Sequence, residues 1–113
     1  MPESLKTVSA DDLEDTLESE HPPVLITTLP REAHVAKHIP GSVNVPVDDI
    51  EQVETLVPDR DAPVVVYCAN AECDVSPKAA RALEEKGYKN VIDFEDGHAG
   101  WRRAGYPLVG EKS

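Results

Sequence analysis

Two apolar rhythms alternate along this chain. Short, mostly β-branched runs at Val24-Leu25-Ile26, Val64-Val65-Val66 and Val91-Ile92 have the length and composition of buried strands. Between them, Leu13 and Leu17, then Ala79, Ala80 and Leu83, recur at helical spacing. Local signals set the boundaries. Ser9 followed by Asp12 resembles a capping box with Asp in the place of Glu, and predicts a helix over residues 10–20, after a short strand at residues 6–8. His21-Pro22-Pro23 stops it. Pro30 opens a helical turn over residues 31–37, and Ile39-Pro40-Gly41-Ser42 reads as a turn. Val43 and Val45 form a brief strand ended by Pro46, and residues 48–56 a short helix. Ser76 is the expected N-cap of the next helix, with Pro77 at its first position, Lys86 at its end and Gly87 closing it. Asp96-Gly97 then turns into a last helical segment carrying Trp101.

The segment Pro63-Val64-Val65-Val66-Tyr67 is apolar throughout, as in a central parallel strand covered on both faces. Strands alternate with helices from end to end. The expected fold class is therefore α/β, a mainly parallel central sheet of about five strands flanked by helices, as one domain over residues 1–113.

Composition narrows the partners. The 113 residues carry 22 acidic and 11 basic side chains, a formal net charge of −11, which repels nucleic acid and argues against an anionic membrane surface. Met1-Pro2-Glu3-Ser4 lacks the basic and apolar regions of a signal peptide, and no apolar run approaches the roughly 20 residues that span a bilayer. The expected location is the cytoplasm, where thiols stay reduced. The oligomeric expectation is a monomer or weak homodimer.

That setting directs attention to Cys68, one residue past the central strand. Ligands of parallel α/β sheets bind outside the carboxyl ends of the strands. The loop Ala69-Asn70-Ala71-Glu72-Cys73-Asp74-Val75 must curl back to Ser76, and is expected to aim main-chain amides at the sulfur. With the positive end of the helix dipole, such a cradle lowers a thiol's pKa and holds an anion. The plainer alternative is a small buried hydrophobe ending a strand.

Three stretches resemble the rhodanese-like domain family: Lys37-His38-Ile39-Pro40-Gly41-Ser42-Val43-Asn44-Val45-Pro46; Val65-Val66-Tyr67-Cys68 with the helix start Ser76 to Leu83; and Gly97-His98-Ala99-Gly100-Trp101 followed by Gly105-Tyr106-Pro107. They stand in the family's order and span nearly the whole chain. The resemblance implies a three-layer rhodanese-like fold and a sulfurtransferase. In it, Cys68 takes sulfane sulfur from thiosulfate or a persulfide and passes it, as a Cys68 persulfide, to cyanide or a thiol. Ala69, Asn70, Ala71, Glu72, Cys73, Asp74, Val75 and Ser76 would form the substrate-binding loop. The chemistry implied needs no metal and no organic cofactor. Its partners would be small sulfur donors and acceptors, a protein persulfide, or a thioredoxin-like thiol.

The loop departs from the commonest family pattern. A basic residue followed by Ser is usual five positions after the cysteine; here Cys73 holds that place and the serine waits until Ser76. The Arg of phosphatase relatives is missing, and Glu72 and Asp74 are acidic, which disfavours doubly charged thiosulfate. Lys78 is the nearest cation by sequence and His98 a candidate hydrogen-bond donor, both as auxiliaries. Cys73 has three readings: a thiol without a role, a resolving thiol for Cys68, or a metal ligand, the last poorly matched by the C-x4-C spacing. His38 is expected to order its turn, His21 and His34 to lie on the surface, and Trp101 to anchor the core. Thr27 and Leu29 replace the Asp and Arg with which family members brace the second strand. A binding or redox-sensing module using Cys68 and Cys73 is the alternative to an enzyme, and a thiol oxidoreductase a third reading.

Overall fold

A computed structural model describes residues 6–70 and 72–110. Five strands, β1 (Lys6–Thr7), β2 (Val24–Thr27), β3 (Val43–Asn44), β4 (Val64–Tyr67) and β5 (Val91–Phe94), form one sheet in the order β1-β5-β4-β2-β3, every pair parallel. The helices are α1 (Ala10–Leu17), α2 (Arg31–Ala36), α3 (Val53–Leu56), α4 (Val75–Glu85) and α5 (Gly97–Arg103), with a 3-10 helix at Val47–Gln52. None of these helices is long and apolar enough to cross a membrane.

Strand alternation divides the core into two layers. Ile26, Val64, Val66 and Val91 face Val45, Val53, Val57, Ala80 and Leu83 on one side of the sheet. Leu25, Val65, Tyr67 and Phe94 face Leu13, Ile39 and Trp101 on the other. All four β4 residues are buried, as a central strand covered on both faces requires. The register pairs Val66 with Asp93 and Tyr67 with Phe94. Asp93 therefore falls on the face that α4 covers, among apolar side chains.

Several boundaries differ from the sequence reading. The first helix stops at Leu17 rather than residue 20, because Ser19 turns back onto the Thr16 carbonyl through both its amide and its hydroxyl. Its N-cap is as expected, Ser9 Oγ accepting from the Asp12 amide at 3.1 Å. Residues 48–56 are not one helix: the 3-10 segment kinks at Asp49 before α3 begins. The helix after Cys68 starts at Val75, so Ser76 lies inside its first turn and is not its N-cap. The residue before the helix is Asp74, whose side chain makes no capping bond. Gly87 closes α4 at φ +99°, a left-handed conformation that suits glycine.

At the end of β4, the Tyr67 hydroxyl accepts from Thr27 Oγ1 at 2.7 Å and from the Ile39 amide at 2.9 Å, and lies 2.9 Å from Ser42 Oγ. Thr27 thus braces the second strand with a hydroxyl. His34 joins the cluster, with Nδ1 3.0 Å from Thr27 Oγ1, so it is half-buried rather than a surface residue. His38 orders its turn as expected: Nδ1 lies 2.7 Å from the His34 carbonyl, and its amide donates to Val109 O at 2.8 Å. Trp101 is 5% exposed, donates Nε1–H to Pro107 O at 3.0 Å and packs edge-on against Phe94.

Candidate active site

Tyr67 points to one face of the sheet, so Cys68 returns to the face of Val66 and α4. Its residue is fully buried and its thiol is free. The loop around it is held from two directions. The His98 amide donates to Cys68 O at 3.0 Å and the Ala99 amide to Ala69 O at 2.9 Å, which seats the start of α5 on the loop's base. Gly97, at φ +68°, permits this approach, since a Cβ there would lie 2.5 Å from Cys68 O and from Ala69 C.

Inside the loop the polar groups sort differently from the expected amide cradle. Asn70 Oδ1 accepts the amides of Glu72 at 3.0 Å and Cys73 at 3.1 Å, taking two of the N–H groups expected at the sulfur. The neighbours of Cys68 Sγ are Ser76 Oγ at 3.4 Å, the carbonyl of Cys73 at 3.6 Å and the carbonyl of Asn70 at 3.9 Å. The sulfur is thus a thiol that donates. Burial pushes its pKa up, and the Cys73 side chain adds to this, while the hydroxyl and amide of Ser76 pull the other way. The expectation of a lowered thiol pKa is corrected accordingly: desolvation outweighs the dipoles in this geometry.

Ser76 Oγ donates in turn to Asp93 Oδ1 at 2.7 Å. Ser76 is fully buried and Asp93 is 2% exposed. Burial raises the Asp93 carboxyl above the ordinary range, and the Ser76 bond partly offsets this. A thiol, a hydroxyl and a carboxylate are thus linked in sequence at the carboxyl end of the central strands.

Residues 9–104 match the model of the Rhodanese-like domain family. The chain belongs to the rhodanese-like domain family. It is 36% identical over 85 residues to the HTH-type transcriptional regulator Rv0324 of Mycobacterium tuberculosis, covering 74% of this chain and 36% of that protein. It is 35% identical over 71 residues to the thiosulfate sulfurtransferase GlpE of Haemophilus influenzae, covering 63% of this chain and 65% of that one. The crystal structure of the BH2092 protein of Bacillus halodurans shares the fold, with a TM-score of 0.84, 21% identity, and coverage of 95% of this chain and 78% of that one. The chain thus spans about a third of the length of the regulator and just under two-thirds of that of the sulfurtransferase.

In this rhodanese-like domain the loop brings Cys68, Cys73 and Ser76 together; Ala69 is half-buried at its base, while Asn70, Glu72 and Asp74 are exposed. Val75 is half-buried and opens α4. Ala71 lies outside the described residues. Lys78 is not brought to the sulfur: it is largely exposed and pairs with Asp74 at 3.5 Å. His98 reaches the site through its backbone, and its ring pKa is lowered by burial and then by Lys37.

Two features escaped the sequence reading. Asp93 is one; its signal is a lone carboxylate within an otherwise apolar strand run, in phase with the face that carries Cys68. The other is a groove of about 450 Å³ lined by Lys37, Arg102 and Tyr106, beside one of about 440 Å³ that shares Lys37 and Arg102 and adds His98 and Arg103. None of these three cations forms an ion pair with a described residue. Lys37 and Arg102 are 65 residues apart in the chain, so only the fold reveals the cluster.

Proposed function

We propose that this domain moves sulfane sulfur through a persulfide on Cys68. The observation that carries the reading is the place of Cys68: at the carboxyl end of the central parallel strand of a rhodanese-like domain, 3.4 Å from the Ser76 hydroxyl. The Cys68 thiolate attacks the outer sulfur of a donor, a new S–S bond forms, and the donor's own bond to that sulfur breaks. A thiol or cyanide then removes the sulfur and restores Cys68. The relative named a thiosulfate sulfurtransferase supports this class of reaction.

A persulfide is the better donor. Glu72 and Asp74 are exposed on the loop and repel a dianion, while the cations of the neighbouring groove suit a persulfide whose carboxylates lie away from its sulfur. The expected result is one sulfur atom added to Cys68, seen by intact and peptide mass after incubation with a small-thiol persulfide and removed by cyanide. Turnover with thiosulfate should be poorer. Equal or better turnover with thiosulfate contradicts the donor assignment, and no sulfur on Cys68 with either donor contradicts the function.

A second reading is a redox-sensing module in which Cys68 and Cys73 form a disulfide. It is favoured by the side-chain hydrogen bond between Cys68 and Cys73 and by the likeness to a transcriptional regulator. An internal disulfide after peroxide, without persulfide after either donor, selects it.

A further inference from the structure

A buried thiol pushed toward its neutral form is a poor nucleophile, and the loop around Cys68 offers it carbonyls as well as the Ser76 amide. The groups behind it supply what the loop does not. Ser76 gives its one hydroxyl proton to Asp93 at 2.7 Å, so the Ser76 oxygen faces Cys68, 3.4 Å away, with a lone pair. The donors therefore run in one direction, from Cys68 to Ser76 to Asp93, with the carboxylate last. That carboxylate has no ion-pair partner among the described residues and sits on a face whose core is Ile, Val, Ala and Leu with Tyr88. An unpaired carboxylate held in such a place is costly, and the fold gains nothing from it that an amide would not supply.

We infer that Asp93 is the positioning residue that takes the Cys68 proton, relayed through the Ser76 hydroxyl. This rests on the reading of Cys68 as the sulfur-carrying nucleophile. In the step, the thiol proton passes to Ser76 Oγ as the Ser76 proton passes to Asp93 Oδ1. The Cys68 thiolate then bonds to the outer sulfur of a persulfide R–S–S⁻, and the donor's S–S bond breaks, releasing RS⁻. The departing thiolate RS⁻ takes a proton back from Asp93 along the same path. Cys68 ends as a persulfide anion and the donor as RSH, with no external oxidant or reductant. The titratable groups facing this line are Cys73, from the loop, against Cys68, and Glu95, beyond the end of β5, against Asp93. Both oppose negative charge, so neither can substitute for the relay.

The test separates a relay from a simple charge. Removing a nearby negative charge makes a thiolate easier to form, so by charge alone Asp93→Asn should speed the reaction of Cys68. Loss of a proton acceptor slows it. In a Cys73→Ser background, the rate of Cys68 alkylation by iodoacetamide is followed by mass from pH 5 to pH 10. Asp93→Asn and Ser76→Ala should each be at least about tenfold slower than their parent at pH 7, the gap closing at high pH where hydroxide deprotonates the thiol directly. Ser76→Thr, which restores the hydroxyl, should recover most of the rate. An Asp93→Asn protein as fast as its parent or faster at neutral pH overturns the relay. So does a Ser76→Ala protein with the parent's pH profile, which decides the matter if Asp93→Asn does not fold. Because alkylation needs no sulfur donor, these results stand apart from the persulfide measurement that tests the function itself.

Discussion

Tyr67 and Cys68 are adjacent in the chain, both buried at the same end of β4, and they point to opposite faces of the sheet. Around the Tyr67 hydroxyl, Thr27, Ile39 and Ser42 converge within 2.7–2.9 Å, a closed network in which every buried polar atom has a partner. Around the Cys68 sulfur the contacts are 3.4–3.9 Å, the partners include two carbonyls, and the chain of donors ends on a carboxylate without a counter-ion among the described residues. One side of the strand's end is built to hold the motif-bearing turn in place. The other keeps a thiol buried and linked through a hydroxyl to a carboxylate. On the proposed function, stability and chemistry are divided between neighbouring residues by the two-residue alternation of a strand.

Exchanging atoms at these two positions should separate the two roles. Cys68→Ser should lower sulfur transfer at least a thousandfold, to the background of the uncatalysed reaction, with little change in the melting temperature. Tyr67→Phe should do the reverse. It removes one oxygen from the closed network, strands the Ile39 amide and costs about 1–3 kcal/mol in chemical denaturation, while persulfide loading of Cys68 stays within about threefold. A Tyr67→Phe protein that kept its stability but lost loading would show that the two faces are not separable.

The architecture was legible because its signals are local. The unbroken apolar run at Val64-Val65-Val66 marks the central strand, Ser9 marks the start of α1, and Gly87 marks the end of α4. The place of Cys68, one residue past that strand, was legible in the same way. What failed was the orientation of groups within the loop. Asn70 competes for the amides of Glu72 and Cys73, and spacing alone does not say whether an Asn side chain turns inward on its own loop. Ser76 followed by Pro77 reads as a cap, yet the helix begins one residue earlier and frees the Ser76 hydroxyl for Asp93. The Ser76–Asp93 contact, between residues 17 apart in the chain, depends on the β4–β5 register that sets Asp93 beside Val66.

The basic groove beside the loop is a smaller lever on the same comparison, because it lies outside both networks. In a chain of net charge −11, Lys37 and Arg102 form an isolated positive patch next to the base of the Cys68 loop. Lys37→Glu with Arg102→Glu should raise KM several-fold for a carboxylate-bearing persulfide. The difference from the parent should shrink as salt approaches 1 M, where the screening length falls to about 3 Å. A KM unchanged at low salt would remove the groove from the donor's path.

The smallest effect concerns the stability of Asp93 itself, and its sign is informative. A carboxyl whose pKa is raised by folding binds its proton more tightly in the fold than in the unfolded chain. Folding stability therefore falls as pH rises from the ordinary carboxyl range through the raised value, and above it the cost is fully present. Asparagine carries no charge at any of these pH values and still offers Oδ1 to the Ser76 hydroxyl. Asp93→Asn should thus be as stable as its parent at pH 7 or more stable, by roughly 1 kcal/mol or less, with the difference shrinking as both are acidified below the ordinary carboxyl range. Thermal melts from pH 3 to pH 8 measure this directly. A variant less stable than its parent at pH 7 would mean that the carboxylate serves the fold, as the Tyr67 hydroxyl does. The contrast between the two faces of β4 would then disappear.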